Sequence, residues 1–442
     1  MRFDKNEEIT GEVVMKFIKQ HQEELPRYKT LGDMYKGNAD IFKLEEKDPY
    51  KPDIRLSTGM PRFIVDTFTG YFNGIPVKKT HIEDEIANKI EVFEAKNNIE
   101  DEEHELAKLS CIYGRAYELI YQNEKAETKV TYISPENCFV VYDDTVEQER
   151  LFAVVYQMKL DGSISGTLYQ AGLQRTFTQA TGNELSFDEE LVTPFDKLNV
   201  HEFYLNEERM GLFEPAKTMI DNYNKALSEK ANDVDYFSDS YMKILGLPMD
   251  DEGMKNIREN RIISASGEGS EKVVIEFLDK PDSDQATEHL LDRLERLIFQ
   301  MTMVANLSDE NFGQSSGTAL AYKLQAMSNL ALSFQRKFEG ALRERYELVF
   351  NNETKFTESE RDEWENMEFT FTRNQPKNVK EEIEAAIEYS TIGSLQTALS
   401  MVSKVPDVRA ELQLIEEERN ERIENDDLGF GGVTDETIEQ ER

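Results

Sequence analysis

The side chains best suited to metal binding or acid–base chemistry are scattered along this chain. No histidine lies four residues from another, which is the spacing a zinc-binding helix uses. The five are His21, His81, His104, His201 and His289. The two cysteines, Cys111 and Cys138, are far apart. The sequence therefore predicts neither a metal site nor a cofactor.

Carboxylates are so abundant that neighbouring pairs occur throughout, as at Asp143-Asp144 and Asp250-Asp251-Glu252. In so acidic a chain such pairs are typical of solvated faces and turns rather than catalytic sites. The sequence also lacks the Gly-x-x-x-x-Gly-Lys-[Ser/Thr] loop that cradles nucleotide phosphates, and any serine–histidine nucleophile signature. We therefore expect a protein that is not an enzyme.

Acidic residues outnumber basic ones by 88 to 51 over 442 residues, which gives a net charge of −37. Such a chain repels polyanions at long range, which argues against a sequence-reading nucleic-acid binder with a basic groove. The acidic excess thickens from Asp407 to Arg442, and it has two interpretations. It is either a solvated, frayed tail or, if many copies form a ring, part of a low-friction wall for a passing polyanion.

Two cysteines and no signal-like N-terminus favour a reducing compartment. No apolar run approaches the length needed to cross a bilayer. We expect a soluble protein with no membrane partner, which works inside a cell or in a particle assembled there.

Two long amphipathic helices around a polar loop are predicted between Pro281 and Phe350. The loop, Asn306 to Gly317, consists mostly of small and polar residues. The first helix carries a predicted buried stripe of Ala286, Leu290, Leu294, Leu297, Met301 and Val304. The second carries Leu320, Leu324, Met327, Leu330, Phe334, Phe338, Leu342, Tyr346 and Val349. The hairpin is either part of an ordinary core or a surface feature whose loop touches partners.

The N-terminal part reads as helices with one β-rich stretch. Residues 1–9 are predicted to be disordered. Helices are predicted over Thr10–Glu24, on to about Met34, after a cap at Thr58 with Pro61 in the first turn, over Ile82–Asn97 and over Ile99–Gly114. From Ala116 to about Tyr204 the apolar period changes to two, which predicts short antiparallel strands.

Downstream, Pro215 begins a predicted helix that reaches about Leu245. It places Met219, Ile220, Tyr223, Leu227, Val234, Phe237 and Tyr241 at helical spacing. Gly246 to Lys280 is short and mixed, as in a small α/β insertion. Met367–Arg373 alternates as a strand, and Asn378–Glu424 is helical with interruptions near Gly393 and Pro406. The predicted fold class is α+β.

The order of these segments resembles the portal proteins of tailed bacteriophages, specifically the family typified by the portal of phage SPP1. The resemblance covers residues 10 to 425. The stretches that carry it are Ile64–Val77, Gly114–Leu119, Ile133–Asp144, Asp221–Asp233 and Asn311–Leu320. Each is weak alone, and their order around an α/β insertion between long helices is more specific.

The resemblance implies a ring of about twelve subunits at one capsid vertex, through which double-stranded DNA is packaged and later ejected. The expected partners are other copies of the chain, DNA without sequence specificity, the large terminase subunit, the head–tail adaptor, and the major capsid and scaffolding proteins. The expected location is the virion, after assembly in the host cytoplasm.

The resemblance also implies a domain plan: a β-rich and helical wing, long stem helices, a small α/β clip and a helical C-terminal crown. The ranges are 1–214 for the wing, 215–245 for stem helix 1, 246–281 for the clip, 282–305 for stem helix 2, 306–317 for the tunnel loop, 318–377 for the long wing helix and strand, and 378–442 for the crown and acidic tail. The short stretch after the crown leaves the role of any longer crown helix in doubt.

The tunnel loop supplies the residues expected closest to DNA. They are Asn306, Ser308, Asn311, Phe312, Gln314 and Ser315. In the second stem helix, Arg293 and Arg296 are candidates for phosphate contacts, or for ion pairs with Asp292, Glu295 or a neighbouring subunit. The alternative interpretation of the whole chain is another virion ring, a head-completion connector without a portal channel role.

Overall fold

The computed structural model describes residues 1–47, 52–180, 184–238, 242–245, 274–277, 284–307, 317–351, 356–374, 379–402, 404–405 and 408–429. Helices and β-sheets are mixed along these residues, consistent with the predicted α+β class. The chain divides into a large unit, Met1–Asp309 with Lys323–Asn374, and a small unit, Glu310–Tyr322 with Gln375–Arg442.

The helices, numbered along the chain, are α1 (Gly11–Tyr35), α2 (Met60–Asn73), α3 (Asp84–Asn97), α4 (Ile99–Tyr113), α5 (Lys217–Ser238), α6 (Asp284–Thr302), α7 (Gly317–Phe350), α8 (Val379–Ser390), α9 (Leu395–Ser400) and α10 (Val408–Gly429). The strands are β1 (Arg2–Phe3), β2 (Lys78–Thr80), β3 (Arg115–Gln122), β4 (Thr128–Ile133), β5 (Cys138–Asp143), β6 (Arg150–Met158), β7 (Ile164–Gln170), β8 (Leu173–Gln179), β9 (Ser186–Val192), β10 (Val200–Tyr204), β11 (Met242–Leu245), β12 (Val274–Phe277) and β13 (Glu368–Thr370).

The N-terminal helices lie close to their predicted positions. The predicted break after Glu24 is wrong, because α1 runs unbroken through Pro26. Its buried stripe continues on both sides of the proline, from Val14 and Phe17 to Leu31. The shared apolar face therefore outweighs the local cost of a proline inside a helix. The helix pair α3 and α4 is separated only by Asn98, whose left-handed backbone breaks the run.

The predicted β-rich region is confirmed as two sheets. Six strands pair in the order β1-β5-β6-β7-β8-β9, and three pair as β10-β3-β4. All neighbours are antiparallel except β1 and β5. The prediction of disorder for residues 1–9 was wrong: Phe3 lies edge-on against Phe17 and Phe152, at ring separations of 6.0 and 6.2 Å.

Gly114 connects α4 to β3 at a point where no other residue fits. Its φ of 87° is left-handed, and an added Cβ would lie 2.0 Å from the carbonyl oxygen of Arg209. This tight turn directs β3 back across α4. The Gly114–Leu119 stretch, singled out by sequence, therefore has a backbone reason for its glycine.

The long helix α7 provides the core of the large unit, and its predicted stripe is confirmed from Leu324 onward. Phe334 and Phe338 are fully buried. Their rings contact Phe72 of α2 and Phe203 of β10 at centroid distances of 4.5 and 4.8 Å. With 34 residues, α7 extends about 50 Å.

A buried charge network joins the C-terminal part of α7 to the elements around it. Arg345 has 0% of its surface exposed. Its guanidinium donates to the Glu118 carboxylate of β3 through Nε and Nη2, at 2.9 and 2.5 Å, and to Glu103 of α4 at 2.5 Å. Lys79 of β2 donates to the other Glu103 oxygen at 3.0 Å and lies 3.2 Å from Glu94 of α3. One cation thus ties α7 to a strand and a helix far away in sequence.

Replacing Arg345 by Met tests this network. The change leaves the buried carboxylates of Glu118 and Glu103 without their main partner, so the free energy of unfolding should fall by about 3–5 kcal/mol. Chemical denaturation measures it. Arg343→Met, two residues away, removes a partly exposed pair with Glu339 and should change stability by less than about 1 kcal/mol. Equal effects of the two substitutions would contradict the role assigned to Arg345.

His21 of α1 is buried between the two sides of the N-terminal core. Its Nε2 lies 2.7 Å from the Pro135 carbonyl oxygen, and its Nδ1 lies 2.8 Å from the Tyr156 hydroxyl. Since a carbonyl only accepts, Nε2 carries the proton and Nδ1 accepts from Tyr156. Burial is the main cause that lowers the pKa of His21 from 6.5 to about 4. The folded chain therefore holds this histidine neutral.

Stability should consequently depend on pH through His21. The pKa of His21 is lower in the folded chain than in the unfolded chain, so at pH values between the two the unfolded chain binds more protons. The contribution of His21 to the free energy of unfolding is therefore complete above pH 6.5 and is lost as the pH falls toward 4. Wild type should lose about 2 kcal/mol more than His21→Gln between pH 6.5 and pH 5. Denaturation at both pH values measures this. His289→Gln, at an exposed position, is the control and should retain the wild-type pH dependence.

The small unit confirms the predicted interrupted helices after residue 378. α8, α9 and α10 follow one another, with a break that includes Gly393. Ser394 caps α9 by accepting from the Thr397 amide at 3.2 Å. Pro406 lies outside the described residues. Among the described side chains of this unit, the buried ones are Ala386 and Ala398, while Ile383 and Ile387 are exposed.

Two further predictions meet the structure only in part. α5 ends at Ser238, so the prediction of a helix to about Leu245 is wrong: Met242–Leu245 is a strand. This strand pairs antiparallel with Val274–Phe277, which lies inside the predicted mixed segment Gly246 to Lys280. The rest of the predicted insertion lies outside the described residues.

Candidate functional site

The predicted stem helices α5 and α6 lie side by side and antiparallel. Lys230 of α5 forms an ion pair with Glu288 of α6. At the other end, Tyr223 lies near Glu295 and Asp292, and burial followed by these two carboxylates raises the pKa of its hydroxyl. Polar contacts therefore fix which faces of the two helices meet.

A polar ladder holds the other side of α5. Residues 52–58, here called the strap, run extended along the helix. Asn232 pairs with Ile54, accepting its N–H at 2.6 Å and donating to its carbonyl at 3.2 Å. Ser228 accepts the N–H of Leu56 at 2.9 Å. Asn224 accepts the N–H and the hydroxyl of Thr58 at 3.1 and 3.0 Å.

The ladder works because two spacings match. Four residues of helix rise about 6 Å, and two residues of extended chain span about 6.6 Å. Side chains at positions 224, 228 and 232 therefore meet alternate residues of the strap, and all three are buried. This explains part of the Asp221–Asp233 stretch singled out by sequence. It also corrects the prediction that Thr58 caps α2, because Thr58 bonds to Asn224 and Gly59 precedes the helix.

The predicted apolar face of α5 is largely wrong. Of its residues, Ile220 is buried, Val234 is exposed, and Met219, Tyr223 and Leu227 are partly buried. The side chains of Phe237 and Tyr241 lie outside the described residues. Asparagine and serine occupy the buried positions instead because the strap needs backbone partners there.

The predicted stripe of α6 is also wrong, by a rotation of one residue, or about 100°. The buried positions are Leu291, Ile298 and Thr302, together with Val304 beyond the helix. Of the predicted stripe, Val304 is buried as expected, Ala286, Leu290 and Met301 are exposed, and Leu294 and Leu297 are partly buried. α6 thus carries an apolar row that the described part of the chain leaves open.

A left-handed turn at Met303, whose φ is 59°, follows the end of α6 and precedes the predicted loop. Asn306 turns back toward α6 and donates to Glu295 at 2.8 Å. The other predicted loop residues, Ser308, Asn311, Phe312, Gln314 and Ser315, lie outside the described residues. The structure therefore brings Asn306 to the end of α6 and does not test the loop residues as a group.

Arg293 and Arg296 are both exposed on α6. No ion pair joins either of them to another described residue, so the predicted pairing with Asp292 or Glu295 within the protomer is absent. This leaves DNA phosphates or a neighbouring subunit as the partners considered from sequence.

The carboxylate pairs behave as turns where they are described. Asp143 accepts from the amides of Thr145 and Glu149 at 3.2 and 3.1 Å, and from the Thr145 hydroxyl at 2.7 Å. Asp250-Asp251-Glu252 lies outside the described residues. Within the described ranges, no three or more His, Cys, Asp and Glu side chains gather as a metal site would require. None of the described helices is both long and apolar enough to pass through a lipid bilayer.

A phage portal protein family model, described as SPP1 Gp6-like, matches residues 15–425 of this chain. The chain therefore belongs to the phage portal protein family. It is similar to the portal protein of Bacillus phage SPP1, with 24% identity over 410 residues, 85% of this chain and 78% of that protein. The resemblance drawn from the sequence is confirmed.

Asn232→Ala tests the ladder. The change removes both bonds to the Ile54 backbone, and leaving a buried backbone pair unmade should cost about 1–3 kcal/mol. Hydrogen exchange in a peptide covering residues 52–58 should become faster, and denaturation should show the lower stability. Asn222→Ala is the matched control, since Asn222 is exposed and its amide bonds only to Thr218 in its own helix. Unchanged exchange in the strap would refute the ladder.

Proposed function

We propose that this chain is the portal subunit of a tailed phage. About twelve copies form a ring at one capsid vertex. The ring conducts double-stranded DNA during packaging and ejection, and it docks the terminase motor and later the head–tail adaptor. It is assembled in the host cytoplasm with the major capsid and scaffolding proteins and remains in the virion. We assign the chain no catalytic step.

The single observation that carries this proposal is the family match over residues 15–425, which spans α5, α6 and α7 in one alignment. A match limited to the β-rich region would leave the channel elements without support. Here the helical pair and the long helix after it fall inside the matched range.

The domain plan of the sequence is retained as part of the proposal. Residues 1–214 and 318–377 form the wing, α5 and α6 belong to the stem, 246–281 is the clip, 306–317 is the tunnel loop and 378–442 is the crown with its acidic tail. The β11–β12 pair lies at the junction between stem and clip.

Charge supports DNA conduction without sequence reading. Base contacts and dense basic clamps would both slow a sliding duplex, because each binding site along the path adds a barrier. A chain with a net charge of −37 disfavours a densely basic surface along the path of the DNA. The face of α5 turned away from both α6 and the strap is polar throughout, so it is suited to line a water-filled channel. Its side chains are Thr218, Asn222, Lys225, Glu229 and Asp233.

Within the tunnel loop, Asn306, Ser308, Asn311, Phe312, Gln314 and Ser315 remain the residues proposed to lie closest to DNA. Ring symmetry repeats each weak contact about twelve times, so single contacts need little affinity. Arg293 and Arg296 are proposed as the basic side chains of the stem.

The second candidate is a head-completion connector ring. Such a connector would also form a closed ring, but it would be added to the capsid only after DNA has entered. The antiparallel pair α5 and α6, next to an insertion at 246–281, favours the portal. Negative-stain images separate the two, since a portal shows a central hole with a broad rim.

Replacing residues 306–314 by a shorter Gly-Ser linker tests the channel role. Rings should still form, because the replaced residues lie outside α6 and α7. The fraction of heads filled with DNA in a packaging reaction should fall at least about tenfold, the loss expected when many weak contacts are removed together. Replacing the exposed β6–β7 turn at residues 160–162 in the same way is the control. Normal filling with the altered loop would remove the case for it.

A further inference from the structure

The apolar row on α6 has no cover in the described protomer. Leu290 and Met301 are 49% and 52% exposed, and Leu294 and Leu297 between them are partly buried. Spacings of four, three and four residues place all four on one side of the helix. One buried apolar row is enough to pack a helix within its own protomer. The second, exposed row is therefore suited to contact with another protein rather than with water.

The open row lies on the far side of α6 from α5. Glu288, Asp292 and Glu295 mark the α5 side. At 100° per residue, the centre of the open row is about 155° around the helix from these three. The row therefore faces away from the α5–α6 pair.

A second apolar patch lies on the opposite flank, at the strap. Ile54 and Leu56 are exposed there, together with Phe42 and Leu44 of the adjoining segment. Arg55 ties the two segments together by donating to the carbonyl oxygens of Phe42 and Leu44, at 3.3 and 2.8 Å. We call these four side chains the strap patch.

The two surfaces bracket the stem. On α5, the ladder positions and the positions that meet α6 are separated by about 150°. The order across the protomer is therefore strap, α5, α6 and open row. A closed ring of identical copies needs a head-to-tail interface, in which two different surfaces on opposite flanks meet. The open row and the strap patch have this arrangement.

Charges flank the two surfaces with opposite signs. Arg293 is exposed on α6 about 70° around the helix from the centre of the open row, and it has no ion pair among the described residues. Arg296 is exposed about 130° from that centre, toward the α5 side. Glu45 and Glu46 are exposed beside the strap patch. A basic side chain next to one apolar surface and acidic side chains next to the other make the two surfaces complementary, which favours a contact between copies of the chain.

We propose that the open row of one copy, Leu290, Leu294, Leu297 and Met301, docks on the strap patch of the next copy, and that Arg293 pairs there with Glu45 or Glu46. This rests on the ring proposed above and deepens it: the partner of Arg293 is a second copy of the chain rather than DNA. The ladder then serves assembly, because it holds the strap patch in place on α5.

Two substitutions in the open row test the apolar contact. Leu290→Asp with Leu297→Asp should raise the concentration at which half of the chains are in rings by at least about tenfold, measured by sedimentation. The control, Thr218→Asp with Asn222→Asp on the polar face of α5, adds the same charge and should leave that concentration unchanged. Circular dichroism checks that the variants are folded.

A charge exchange tests which surfaces meet. Arg293→Glu should weaken the ring, and adding Glu45→Lys with Glu46→Lys should restore it. Weakening without restoration overturns the pairing. Rings as stable as wild type, with reduced DNA filling, overturn it in favour of phosphate contacts.

Cross-linking gives an independent measurement of the same contact. Leu297→Cys with Leu56→Cys and a short bismaleimide should give a ladder of covalent multimers, whereas Leu297→Cys with Asn222→Cys should not. Cys111 and Cys138 are buried and do not compete. If wild type forms no rings, the proposed function fails; if it forms rings that all variants also form, only this inference fails.

Discussion

The packing of the large unit depends on a buried charge network centred on Arg345. Arg345 reaches Glu118 on the central strand of one sheet and Glu103 on α4, and Lys79 extends the network to Glu94 on α3. Buried charges give little net stability, but removing one partner is costly, so such a network discriminates strongly between correct and incorrect packing. Here it fixes the C-terminal part of the long helix α7 to the strands and helices of the β-rich region.

Elsewhere in the large unit, α6, α5 and the strap lie side by side in layers. Each layer is held by polar contacts, the Lys230–Glu288 pair on one side and the Asn224–Ser228–Asn232 ladder on the other. Apolar side chains remain for the outer surfaces. The protomer thus fixes the relative positions of α5, α6 and the strap with hydrogen bonds and ion pairs, and apolar area remains exposed on the outer sides of α6 and the strap.

The sequence predicts the class of most elements and few of these contacts. The alternation of apolar residues from Ala116 to Tyr204 predicts antiparallel strands, and the apolar stripe through Phe334 and Phe338 predicts α7. Both predictions succeed because each of these elements has one buried face. α6 has two apolar rows, and a sequence does not distinguish the row that folds the protomer from one that is left open. Asn224, Asn232 and Arg345 were missed because polar residues at helical spacing normally indicate solvent. Only the position of the strap and of β3 shows that they are buried.

The central claim is that many copies close into a ring. Native mass spectrometry of the purified chain measures this most directly. We predict one dominant particle of about 0.6 MDa, as expected for about twelve copies of a 51.1 kDa chain. A monomer or dimer at every concentration and salt level would contradict the account.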